Sequence, residues 1–368
     1  MKTRTVLLAA CAIPLTAFQQ PDSKGRIDFE LEEMKRDTLL VGSFPVSDLN
    51  QENIKIDTIL PGQTRYTHIA ETDTIAYNVV IASADETQGF VLALLPGERI
   101  KVTGNMQDWQ VDGSKLNATY AQIQKACRPY QAKMDSLNQI ITEKIYKEEY
   151  LPTWRQKDSL QADYIRQHPD DDLSLFILAK INGNWVDELY PTLTERVKNG
   201  PFAPIAQVFD ENFRIRKIFE ENKKRIVEGA EAPDFTLHDL QGQPLSFRSL
   251  RGKYVVLDFW GSWCGWCIKG IPDMKEYYEK YRDKMEILGI DCHDKEEAWK
   301  SAVKEHGLPW LNVRDADNPD VSLLYAIEGY PTKIVVTPEG KIAKIVRGES
   351  PVFYEYLDEL FSKPESDN

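Results

Sequence analysis

At 368 residues the chain is longer than one ordinary domain, and 42% hydrophobic content with 16 Tyr and 8 Trp excludes a largely disordered protein. A formal charge of −13 argues against nucleic acid as a partner, because phosphate binding needs a basic surface. Five histidines (68, 168, 238, 293 and 306) lack ligand spacing, so no metal is indicated, and five cysteines are too sparse for a disulfide-stapled scaffold.

In chain order, residues 1–20 predict an export signal. Lys2 and Arg4 give a positive start, residues 5–18 are mostly apolar, and Gln19-Gln20-Pro21-Asp22 turns polar. The apolar run is too short to span a bilayer. Leu8-Ala9-Ala10-Cys11 offers a second reading, a lipobox with Cys11 lipidated. It leaves only residues 6–10 as apolar core, short of the usual length of about 7–15. Cleavage near residues 17–20 is the favoured expectation, and both readings send the protein to the periplasm or envelope. Residues 24–113 read as a β-rich domain: short runs at 74–82, 90–95 and 99–103 are punctuated by Pro61-Gly62, Pro96-Gly97 and Gly104-Asn105. Residues 114–228 read as a charged helical region. There Ile123, Cys127, Tyr130, Met134, Leu137 and Ile141 recur at three-to-four spacing. Such a stripe is one face of a helical bundle within the chain, or a coiled-coil seam through which two copies would form a homodimer. On either reading Cys127 is a core thiol.

A third domain, residues 229–368, follows Glu228-Gly229-Ala230. Residues 254–260, Tyr-Val-Val-Leu-Asp-Phe-Trp, have the apolar continuity of a buried parallel strand, and residues 268–283 predict a helix. Between them stands Trp263-Cys264-Gly265-Trp266-Cys267. Two cysteines at that junction can close a small ring, the first at a helix N-terminus whose unpaired N–H groups stabilise a thiolate. Cys264 is therefore the candidate nucleophile and Cys267 the resolving thiol. A zinc ribbon would need a second such pair or paired histidines.

The opening Ala232-Pro233-Asp234-Phe235-Thr236-Leu237 and the run Asp258-Phe259-Trp260-Gly261-Ser262-Trp263-Cys264-Gly265-Trp266-Cys267 resemble thioredoxin-like proteins of the TlpA/ResA group, in the redoxin superfamily. So does Gly329-Tyr330-Pro331-Thr332-Lys333, with a hairpin turn at Glu339-Gly340. The resemblance implies an α/β thioredoxin-like C-terminal domain, a central mixed sheet flanked by helices. The domains before it resemble, more weakly, the extensions such envelope proteins carry. It implies that Asp258, placed to be buried near Cys267, is catalytic and accepts that thiol's proton. It also implies that Pro331 is cis beside the disulfide and that the Tyr330 backbone pairs with an extended substrate. Trp263 and Trp266 complete the substrate-binding surface. Trp266 departs from the proline that relatives carry there, and its neutrality argues against a strongly oxidising site. Pro272 would kink the active-site helix. Cys292, at the end of a strand predicted over 287–291, is a strand-end thiol or a redox relay assisted by His293.

The expected function is an exported thiol-disulfide oxidoreductase that reduces protein or peptide disulfides without a cofactor, re-reduced by a membrane thiol donor. An oxidase or isomerase, and a partner-binding envelope protein whose N-terminal domain selects the substrate, stay open. A thiol peroxidase does not fit: where its motif needs Pro and Thr or Ser before the cysteine, this chain has Leu257 and Gly261.

Overall fold

The computed structural model describes residues 24–48, 52–71, 74–85, 87–316 and 320–362. The expected signal segment, with Cys11, lies outside the described residues. The chain divides between Asp210 and Glu211 into two compact units.

The first unit begins with eight strands: β1 (Arg26–Leu31), β2 (Leu39–Pro45), β3 (Lys55–Ile59), β4 (Tyr66–Ile69), β5 (Tyr77–Ser83), β6 (Gly89–Leu94), β7 (Arg99–Gly104) and β8 (Trp109–Asp112). They form two four-stranded sheets ordered β4-β1-β7-β8 and β3-β2-β5-β6. Alternation decides the faces. In β1, Ile27, Phe29 and Leu31 are buried and the residues between them are half-exposed, the period of two that a one-sided sheet requires. Helices follow, chiefly α1 (Lys115–Asn138), α2 (Leu151–Gln167), α3 (Asp172–Leu178) and the first residues of α4 (Ala203–Arg225), within which the division falls. Ser114 caps α1 by accepting from the Asn117 N–H. The Asn117 carboxamide in turn pairs with both the N–H and the C=O of Ala93, at 2.9 and 2.7 Å, tying α1 to the edge of β6.

The stripe on α1 is only partly as the spacing suggests. Cys127, Met134 and Leu137 are buried, together with Tyr120, which the spacing did not include. Ile141 lies beyond the end of α1 and is exposed. The face is used within the chain: Gln124 donates to Gln161 of α2 at 3.2 Å, and Cys127 Sγ lies 3.9 Å from the Lys157 carbonyl.

The second unit is the thioredoxin-like α/β domain. Strands β9 (Thr236–Asp239), β10 (Pro244–Ser246), β11 (Tyr254–Trp260), β12 (Met285–Cys292), β13 (Leu311–Asp315), β14 (Thr332–Val336) and β15 (Ile342–Arg347) form one mixed sheet ordered β10-β9-β13-β12-β11-β14-β15. β11 is central, parallel to β12 and antiparallel to β14. Burial on both faces explains its apolar run, which only Asp258 interrupts. On one face Val256, Ile287 and Val335 pack with α5 (Gly265–Tyr281) and α7 (Pro351–Ser362), between which α6 (Glu296–His306) falls in the chain. On the other, Val255, Leu257, Phe259, Leu288 and Ile290 pack with Phe235 and Tyr325. Helix α5 starts three residues earlier than its charge pattern predicts, because Cys264 itself is the cap. Among the described residues no helix is long and apolar enough to cross a membrane.

Candidate active site

Strand β11 ends at Trp260, and a tight connection of three residues leads to Cys264. A side chain at Gly261 would collide with the Trp263 indole, which crosses it to donate to the Cys292 carbonyl at 3.0 Å. The Asp294 carboxylate accepts from the Ser262 N–H and hydroxyl, both at 2.7 Å, and pins the same turn. Cys264, in extended conformation, caps α5: its Sγ accepts from the Cys267 N–H at 3.1 Å. The two cysteines form a disulfide and both are buried. Their neighbours are not, Trp263 being 52% and Trp266 63% exposed. Large apolar rings left in water beside a buried disulfide make a surface suited to another chain.

The loop before β14 completes that surface. The Tyr330–Pro331 peptide bond is cis. The Tyr330 ring meets Trp263 edge-on, centroids 5.2 Å apart, and its hydroxyl lies 3.0 Å from His293 Nε2. Thus Trp263, Tyr330 and Pro331 come together near the cysteines. Trp266 points to solvent, with the Lys269 ammonium over its ring.

Asp258 is buried, 8% exposed, in the middle of β11. Burial pushes its carboxyl above the ordinary range; the Lys333 ammonium pulls against this, and the Glu349 carboxylate adds to it. Lys333 is its cross-strand partner on β14 and is itself buried. On the opposite side the register neighbour is Gly289, followed by Asn312. A side chain at Gly289 would press on Asn312 Oδ1 and Trp310 Nε1, so glycine keeps this polar row free of apolar filler. Lys333 and Glu349 were not singled out in the sequence. The signal was there: a lysine inside Thr-Lys-Ile-Val-Val, otherwise a buried strand, demands a partner charge.

The AhpC/TSA family profile matches residues 229–345. The chain is 34% identical over 138 residues to the thiol-disulfide oxidoreductase ResA of Bacillus cereus, covering 37% of this chain and 79% of that protein. It is 35% identical over 127 residues to ResA of Bacillus subtilis, covering 34% and 70%. The chain belongs to the ResA-type thiol-disulfide oxidoreductases. A solved thioredoxin domain of a thiol-disulfide oxidoreductase from Bacteroides vulgatus aligns with 36% of this chain and 97% of its own length, at 34% identity and a TM-score of 0.34.

The other described thiols of this ResA-type chain, Cys127 and Cys292, are both buried. Cys292 does sit at the end of β12, but it is fully buried, and burial pushes its thiol up to about 12 against a contact from Ser322 Oγ at 3.2 Å. His293 turns to Tyr330 instead of supporting it. Burial also pushes Cys127 up to about 11. A thiol at those values is almost all protonated near neutral pH, so the relay role for Cys292 is set aside. Among the described residues no cluster of His, Cys, Asp and Glu could hold a metal ion.

Proposed function

We propose that this protein is an exported reductase of protein disulfides. The observation that carries the reading is the disulfide at the start of α5, with its first sulfur capping the helix, flanked by exposed Trp263 and Trp266. In the reduced enzyme the helix N-terminus favours the Cys264 thiolate, which attacks a substrate disulfide and expels one substrate thiolate. Cys267 then loses its proton to Asp258 and attacks Cys264 Sγ. The mixed disulfide breaks, the second substrate thiolate leaves, and the Cys264–Cys267 disulfide closes. Burial makes Asp258 a stronger base than an ordinary carboxylate, which suits that transfer near neutral pH. An extended substrate segment lies across Trp263, Trp266 and Pro331 and pairs with the Tyr330 backbone as an added strand. A membrane-bound dithiol donor restores the reduced pair. The β-rich N-terminal domain, residues 24–113, selects the substrate, and the setting is the periplasm or envelope.

The deciding test is insulin reduction with dithiothreitol as donor. Cys264→Ala abolishes activity, whereas Cys267→Ala accumulates thiol-sensitive mixed disulfides, because attack proceeds and nothing resolves the adduct. Full activity of Cys264→Ala, or no adduct with Cys267→Ala, overturns the assigned roles.

A further inference from the structure

Lys333 stands between two carboxyls and can neutralise only one. Its Nζ lies 2.7 Å from Glu349 Oε2 and 4.0 Å from Asp258 Oδ1. The Lys333 side chain is 3% exposed, so water does not screen the choice. Asp258 Oδ1 is buried without a hydrogen-bond partner. Glu349 is held where it is: the Tyr354 hydroxyl donates to its Oε1 at 2.8 Å, and any side chain at Gly270 would run into its carboxylate. Gly270 is one turn along α5 from Cys267, so Glu349 reaches the active-site helix just behind the resolving thiol.

We propose that Glu349 is a positioning residue for the exchange: it withholds the Lys333 ammonium from Asp258 and so keeps Asp258 basic enough to take the Cys267 proton. The inference rests on the reading of Asp258 as that proton's acceptor. The proton passes from Cys267 Sγ to the Asp258 carboxylate as the resolving bond forms. It returns when a dithiol donor reduces the Cys264–Cys267 disulfide and Cys267 leaves as thiolate. Were Lys333 paired with Asp258, the carboxylate would be held ionised and would be a poor acceptor.

Among the described residues, the charged and titratable groups that act on Asp258 are Lys333 from β14, Glu349 after β15 and Tyr354 from α7, with Asp273 of α5 beside Tyr354. Strand β12 presents uncharged Gly289, with Asp291 two residues further on the same face. Beside Glu349 a cavity of about 380 Å³, lined by Asp273, Tyr277 and Tyr354, lets this side chain exchange protons with solvent.

The test follows the Asp258 carboxyl by carbon-13 NMR from pH 4 to 10 in the full reduced chain, alongside the rate of the Cys267 resolution step. Glu349→Gln frees Lys333 and lowers the Asp258 midpoint, by about one to three pH units for an opposite charge brought into contact. Lys333→Met raises it. Tyr354→Phe weakens Glu349's hold and lowers the midpoint by less, and it decides the matter if Glu349→Gln does not fold. Shifts of equal sign in the lysine and glutamate variants, or no shift in Glu349→Gln or Tyr354→Phe, overturn the proposal, since a merely structural role has no reason to move the midpoint in opposite directions. Asp258→Asn separates the two readings. If it leaves resolution unchanged while the midpoints move as stated, the acceptor role fails and the competition for Lys333 stands. If it slows resolution while the midpoints stay still, the competition fails.

Discussion

Asp291 is a strongly perturbed carboxyl near the site. It is fully buried on β12, and burial, reinforced by the nearby Asp294 carboxyl, pushes it up to about 9. Asp294 is held low, against burial, by the hydrogen bonds it accepts from Ser262. Asp291 therefore keeps its proton near neutral pH while Asp294 stays ionised. A folded-state pKa raised above the unfolded value means stability that is full below about pH 4 and lost as pH rises through about 9. Asp291→Asn keeps a neutral side chain of the same shape but removes the titration. The stability difference, variant minus wild type, therefore grows from pH 5 to pH 9 in urea denaturation series. A constant difference across that range would show that Asp291 is ionised throughout.

At the scale of an element, the start of α5 sets the redox character. The helix N-terminus supplies the stabilisation of thiolate that related sites share, while Gly265 and Trp266 add no charge and an ionised Asp258 would oppose a thiolate. The couple is expected at about −220 to −280 mV, the reducing end of the thioredoxin-like range. Equilibration in dithiothreitol and glutathione buffers measures it; a value above about −160 mV would make the protein a disulfide donor. Helix α1 offers a stability counterpart. Ser114 accepts from the Asn117 N–H at 3.3 Å and from the Asn117 side chain at 2.9 Å, and that side chain holds the β6 edge. Ser114→Ala removes cap and brace, costing about 1–2 kcal/mol by chemical denaturation, with no change in the redox potential.

For the whole molecule, export decides whether the proposed reductase meets oxidised substrates, because disulfides persist in the envelope and not in the cytosol. Mass analysis of the protein from its native envelope is expected to find an N-terminus between residues 18 and 21. An acylated start at Cys11 would establish the lipoprotein form, and an intact Met1 in soluble cytosol would defeat both. The division into two compact units fits a chain with one redox site and one accessory part, since the cysteine pair and the residues around it all lie after Glu211.

Local order was legible in the sequence. The run from Tyr254 to Trp260 is a strand, the cysteines fall at its junction with a helix, and the β-rich, helical and α/β textures follow one another as the patterns indicate. Period and punctuation are properties of neighbouring residues, so they survive without coordinates. The tertiary structure alone decided which distant groups meet. Strand order sets Lys333 beside Asp258, 75 positions away, and the turn after β15 brings Glu349 onto α5. It turned His293 to Tyr330, closed Cys292 off from solvent and ended α1 before Ile141. Those outcomes depend on which strands pair and which faces are covered, and desolvation and charge pairing act only after that pairing is made.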